Sequence, residues 1–242
     1  MLIGANLSRR IMPLAVVAAS SLGLTGCFDL AQKVAIHRDA SGTYAIAVSA
    51  DGIVGDGLDR KHADINIDDE IDAKGVTTVT HDGDVTTQTK TVAFRDLSDL
   101  HLGDEKLSLR VIGKDGDATR VAFHRSFRID HDRDNRDDAR GFGRDVVHSI
   151  FGDHQYTFAV WLPGKIDRIA PVKLGNRAVV PVVWGDAAGH TIIWKMPLSD
   201  MLLDGNIDFD VDFAANGRFR DTQSLPGKHR HRRHDDDDDD VD

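Results

Sequence analysis

The residues able to do chemistry are one thiol, twelve imidazoles and a large surplus of carboxylates. Cys27 is the only cysteine, and 38 of the 40 acidic residues are Asp, with Glu70 and Glu105 the two Glu. A serine nucleophile needs a positioned base and usually a strained elbow; no G-x-S-x-G is present, and His148 and Ser149, neighbours on a helical stretch, point about 100° apart. Gly141-Phe142-Gly143 lacks the third glycine and the lysine of a phosphate cradle. With so many Asp, no chosen pair of carboxylates stands out as an acid and base. Asp130, Asp132 and Asp134 open like an EF-hand loop, but Asn135 holds the glycine position and Gly141 the position of the bidentate Glu, so a solvated loop is expected. Asp208, Asp210 and Asp212 share one strand face at a spacing of about 7 Å, wide for a single ion, and read as charge protecting a sheet edge. The tail pairs Lys228-His229-Arg230-His231-Arg232-Arg233-His234 with Asp235 to Asp240. His229, His231 and His234 are its candidate ligands, weak and unshaped, for Zn²⁺, Ni²⁺ or Cu²⁺. No enzyme and no cofactor are expected from these residues.

Cys27 has a more specific context. Arg9 and Arg10 precede an apolar run from Ile11 to Leu24, and Leu24-Thr25-Gly26-Cys27 closes it. A membrane-spanning helix needs about 20 apolar residues, so this run reads as a cleaved signal. The four-residue close resembles the lipobox of bacterial lipoproteins. That resemblance implies cleavage before Cys27, acylation of its thiol and amine by palmitate-like chains, and attachment to a membrane on its periplasmic side, since several chains anchor stably where one does not. In such proteins an Asp directly after the cysteine holds the chain at the inner membrane. Here Phe28 follows, which implies the outer membrane, with the inner membrane or a single-membrane cell surface still open.

Once Cys27 is acylated, no thiol remains for a disulfide, and a chain of this length must rely on its core. Loss of Arg9 and Arg10 moves the net charge from −10 to about −12, which disfavours a nucleic-acid partner. The expected organisation is a signal peptide over 1–26, a lipidated cysteine and short tether over 27–32, one domain over 33–221, and a disordered His/Arg/Asp-rich tail over 222–242.

Asp is a poor helix former and a good turn former. Asp82-Gly83 and Asp115-Gly116 sit between Thr- and Val-rich runs, which predicts hairpins joining 75–81 to 85–94 and 106–113 to 119–129. A first hairpin is expected to join 34–38 to 43–49 around Asp39-Ala40-Ser41-Gly42, and further strands over 155–162, 178–184, 191–195 and 206–214. Phe142, Val146, Val147, Ile150 and Phe151 repeat at helical spacing and predict one main helix, with a helical turn over 198–203. The fold class expected is α+β: a mostly antiparallel, curved β-sheet with one main α-helix packed on it.

Phe158-Ala159-Val160-Trp161-Leu162-Pro163-Gly164-Lys165-Ile166, followed by Thr191-Ile192-Ile193-Trp194-Lys195, resembles LppM-like bacterial lipoproteins, in which a strand runs into a Pro-Gly-Lys turn before a strand carrying Trp. The chain departs from them in a long stretch between Ile166 and Thr191 and in a polar end where many carry a transmembrane helix. The resemblance implies an α+β envelope domain, with binding of an apolar or lipid ligand as one reading of its role; Phe142, Phe158, Trp161 and Trp194 are the candidate lining if such a pocket exists. Strand and helix periodicity explains the same four residues as ordinary core. Two readings follow: a non-catalytic, membrane-anchored lipoprotein with a lipid ligand, or a structural, protein-interaction module of the envelope whose partner the sequence does not name. Weak metal binding by the tail is a third.

Overall fold

The computed structural model describes residues 28–52, 55, 58, 75–102, 105–128, 147, 148, 151–174, 177–204 and 206–226. In chain order the strands begin with β1 (Phe28–Ile36), β2 (Gly42–Asp51), β3 (Val76–Asp82), β4 (Val85–Phe94), β5 (His101–Leu102), β6 (Glu105–Asp115) and β7 (Ala118–Arg128). They continue with β8 (Gln155–Pro163), β9 (Lys165–Ile169), β10 (Val172–Leu174), β11 (Arg177–Val179), β12 (Val182–Asp186) and β13 (Gly189–Pro197). Helix α1 (Leu198–Asp204) leads into β14 (Asn206–Ala215), β15 (Thr222–Gln223) and β16 (Leu225–Pro226).

Two sheets carry the fold. The larger has seven strands in the order β12-β13-β8-β1-β2-β4-β3, and the smaller has five in the order β15-β6-β7-β14-β9. Neighbours within them are antiparallel except β1 and β8, which run parallel with Gln32 opposite Phe158 and Val34 opposite Val160. The sheets pack face to face. Phe158 of the larger lies 6.5 Å from Phe123 and 4.6 Å from Phe209 of the smaller, centroid to centroid, and one buried cluster contains the inward residues of both. Strand alternation dictates which residues these are. In β14, Ile207, Phe209, Val211 and Phe213 are buried, while Asp208, Asp210 and Asp212 point outward.

The expected α+β class is therefore corrected to a β-rich sandwich. Among the described residues the one α-helix with defined bounds is the seven-residue α1, beside a single 3-10 turn over Leu97–Asp99. What closes the core of the first sheet is a second sheet, which takes in the hairpin predicted around Asp115-Gly116, while the hairpin around Asp82-Gly83 forms the β4-β3 edge of the first. Of the expected main helix, Val147, His148 and Phe151 are helical and Phe151 packs against the core; Phe142, Val146 and Ile150 lie outside the described residues. At the start of the fold, β1 runs through residues 28–32, where a tether was expected, with Phe28 packed on the core. At its end β15 and β16 occupy 222–226, within the expected tail.

The Pro163-Gly164 turn is the corner at which the chain leaves the larger sheet and joins the smaller. Gly164 has φ +79°, as the third residue of a type II turn requires, and a Cβ there would run into the carbonyl oxygen of Ala214. Gly164→Ala should cost more than about 1 kcal/mol in urea denaturation, from backbone strain and steric conflict together.

The short strands near the C-terminus are held by one carboxylate. Asp96 accepts hydrogen bonds from the Ser98 amide (2.9 Å) and hydroxyl (2.8 Å), from Arg220 Nε (2.9 Å), and from the Thr222 hydroxyl. Partial burial acts to raise its pKa, but these donors outweigh burial and hold it well below the usual carboxylate range. A depressed folded pKa means the stabilisation is complete above the ordinary value of 3.8 and is lost as pH falls below it toward the folded value. Asp96→Asn is expected to lower the neutral-pH Tm and to remove this part of the decline below pH 3.8, as thermal melts across pH would show.

Candidate functional site

Three places in the sandwich gather side chains with more to do than fill space. The first lies inside it. Arg125 is 0 % exposed, and it sits on β7 with the same parity as Val121, Phe123 and Phe127, so alternation turns it inward. Its guanidinium bonds Glu105 of β6 (Nη2 to Oε1 3.1 Å), the Tyr156 hydroxyl (2.6 Å) and the Gln32 carbonyl oxygen. Tyr44 and the Gln32 amide complete the shell of Glu105, and Gln32 also donates to the Tyr44 hydroxyl at 3.2 Å. The Arg125 Cζ stands 4.2 Å from the Phe158 ring centroid and 5.2 Å from that of Phe209, within cation–π range.

Burial opposes the charge on Arg125, but the Glu105 carboxylate, with the Tyr156 and Tyr44 oxygens, outweighs it and holds the pKa above its usual value. For the Tyr156 phenol burial dominates and raises the pKa despite Arg125. Arg125 thus stays charged and Tyr156 neutral throughout the physiological range. With its hydrogen bonds turned onto one another, the cluster clamps sheet to sheet. It offers no base and no exposed nucleophile. Sequence reading passed over this network, although Gln32, Tyr44, Glu105 and Arg125 all occupy core-parity positions of their strands, which is a readable signal.

The second place is the ring stack at the centre. Phe158 and Trp194 are both 0 % exposed, stacked at 5.6 Å, with Phe209 against both at 4.6 and 5.1 Å. They are core residues whose faces are already taken. Trp161 lies on the opposite face of the sheet from Phe158, half-buried, over Gly189, where an added Cβ would come within 2.5 Å of its ring. The structure therefore separates Trp161 from Phe158 and Trp194 rather than joining them in one lining. Phe142, Cys27, His229, His231 and His234 lie outside the described residues.

The carboxylates of β14 have partners. Asp208 pairs with Arg128 (3.0 Å), Asp210 with His124 (2.8 Å) and Asp212 with Arg168 (2.7 Å). Their strand is interior, between β7 and β9, so edge protection is corrected to a charge ladder on the outer face of the smaller sheet. Among the described residues no group of three His, Cys, Asp or Glu is placed to hold a metal ion, and no helix is long and apolar enough to cross a membrane.

The third place is the edge formed by β12. Val180 is 82 % exposed, Val182 56 % and Trp184 52 %, and Val183 is exposed with them. Pro181 interrupts what would otherwise be one strand and separates β11 from β12. Asp186 and Gly189 face each other across a two-residue turn, so that pair exchanges its backbone hydrogen bonds, as do Trp184 with Thr191 and Val182 with Ile193. The N–H and C=O groups of Val183 and Gly185 accordingly point to the open edge. Natural sheets usually blunt such an edge with lysine or a bulge. This one carries valines and a tryptophan.

No known family model, no characterised protein sequence and no solved structure matches the chain.

Proposed function

We propose that the chain is a membrane-anchored, non-catalytic envelope lipoprotein that works as a protein-interaction module, held at the periplasmic face of the outer membrane through acylated Cys27. The observation that carries the interaction reading is the open edge at β12, with Val180, Val182 and Trp184 more than half exposed. The anchoring reading rests on the lipobox-like Leu24-Thr25-Gly26-Cys27, and the fold suits it, since β1 starts at the next residue. Such an anchor leaves the sandwich no slack above the headgroups. The Phe28 amide also bonds His154 Nδ1 at 3.0 Å, which fixes the first residue after the anchor to the start of β8.

The LppM-like resemblance favours a lipid ligand instead. Against it stands the mutual stacking of Phe158, Trp194 and Phe209 in the space such a ligand would fill.

A photo-reactive amino acid at position 180, incorporated in cells and irradiated, is expected to trap protein adducts. The same probe at position 110, on the outer face of the smaller sheet, is the control. Adducts confined to lipid at both positions would overturn the interaction reading, and Cys27→Ser should release the chain from the membrane fraction if the anchor is as described.

A further inference from the structure

We propose that the partner of β12 is a second copy of the same chain, paired antiparallel about a two-fold axis through Trp184. This inference rests on the interaction reading above and names its occupant.

The argument is one of register. Only Val183 and Gly185 direct both an N–H and a C=O to the open edge; Pro181, the next outward position, has no N–H. A two-fold axis at Trp184 sets Val183 of each copy opposite Gly185 of the other, so both residues of both copies exchange hydrogen bonds and no outward donor is left over. A register shifted onto Val183 would set Gly185 against Pro181 and leave the Gly185 carbonyl without a donor. The set of available donors is thus symmetric about Trp184, which is the property an isologous interface requires.

The side chains agree with that register. Trp184 meets the Trp184 of the second copy as a non-hydrogen-bonded pair, the closest kind, in which aromatic pairs contribute most. Val182 falls opposite Asp186, so the acidic residue of each strand faces a valine and no like charges meet. The joined sheet has fourteen strands, seven from each copy. Because β12 runs parallel to β1, the axis places the two Phe28 ends at opposite ends of that sheet. Two anchored copies therefore engage with the sheet lying along the membrane.

A five-residue edge buries less than the roughly 1,200 Å² of a stable dimer. The pair belongs to the weak class and depends on confinement to a surface.

The test uses the full mature chain in detergent micelles. Trp184→Cys is expected to yield a disulfide-linked dimer on mild oxidation, because the two Cα atoms of a non-hydrogen-bonded pair lie about 4.5 Å apart. Val182→Cys should not, its two copies being four residues apart along the ladder, roughly 13 Å. In sedimentation equilibrium, Trp184→Lys and, separately, Val183→Pro are expected to weaken self-association by about tenfold or more with far-UV spectra unchanged. Val183→Pro removes an N–H that β13 does not use, and either variant suffices if the other misfolds. Equal cross-linking at 182 and 184, or self-association insensitive to Trp184→Lys, would overturn the pairing. Adducts at position 180 to a different protein, with no cross-link at 184, would overturn it while leaving the interaction reading intact.

Discussion

Arg125→Ala is expected to cost about 3–5 kcal/mol of folding stability, because it strands the Glu105 carboxylate between two sheets with its counter-charge gone. The loss has three physical parts. Glu105 keeps its desolvation penalty without the guanidinium 3.1 Å away. Tyr156 and Gln32 each lose a hydrogen-bond partner in a buried site. The rings of Phe158 and Phe209 lose the cation packed on them. Urea denaturation at pH 7 checks the magnitude. Arg125→Met combined with Glu105→Leu should recover much of the loss, since removing both partners of a buried pair costs far less than removing one. Additive losses in the double variant would mean that Arg125 and Glu105 act independently, contrary to the clamp described here.

Phe158→Ala should cost about 3–5 kcal/mol by opening a cavity at the centre of the ring stack. Phe158 touches Trp194 within its own sheet and Phe123 and Phe209 across the interface, so no neighbouring side chain is free to collapse into the void. The prediction separates core from pocket lining. A residue lining an open ligand cavity would lose ligand affinity and little stability on truncation, whereas a filled core loses stability. A fall in the urea midpoint with an unchanged m-value is the expected signature.

Much of the strand order was legible because alternation and Asp-Gly turns are local properties. The hairpins around Asp82-Gly83 and Asp115-Gly116 form as expected, and β14 turns its phenylalanines inward and its aspartates outward. The class was misread because local pattern does not say what covers a sheet. The helical spacing of Phe142 to Phe151 suggested a covering helix, while the covering layer is built from β6, β7, β9, β14 and β15. The parallel contact of β1 with β8 joins residues more than 120 apart in sequence, and no short-range signal encodes it.

The site was less legible for a related reason. The sequence leaves two readings for its aromatic residues, ligand lining and ordinary core, and Phe158 and Trp194 are buried in the core as strand periodicity expects. The same parity rule applied to polar residues singles out Gln32, Tyr44, Glu105 and Arg125, four core-facing polar side chains that satisfy one another together with the Tyr156 hydroxyl. The edge at β12 was hidden inside an expected strand over 178–184; Pro181, which cannot donate to a ladder, marked the break.

The central claim is that this sandwich has a filled core and acts through its surface. Native mass spectrometry of the chain from Phe28 onward, secreted to the periplasm without its lipid cysteine, tests it most directly. The account predicts bare protein masses, monomeric or dimeric, with no retained lipid. A stoichiometric lipid mass that survives desalting, and that Phe158→Ala or Trp194→Ala removes, would contradict it and restore the ligand-binding reading.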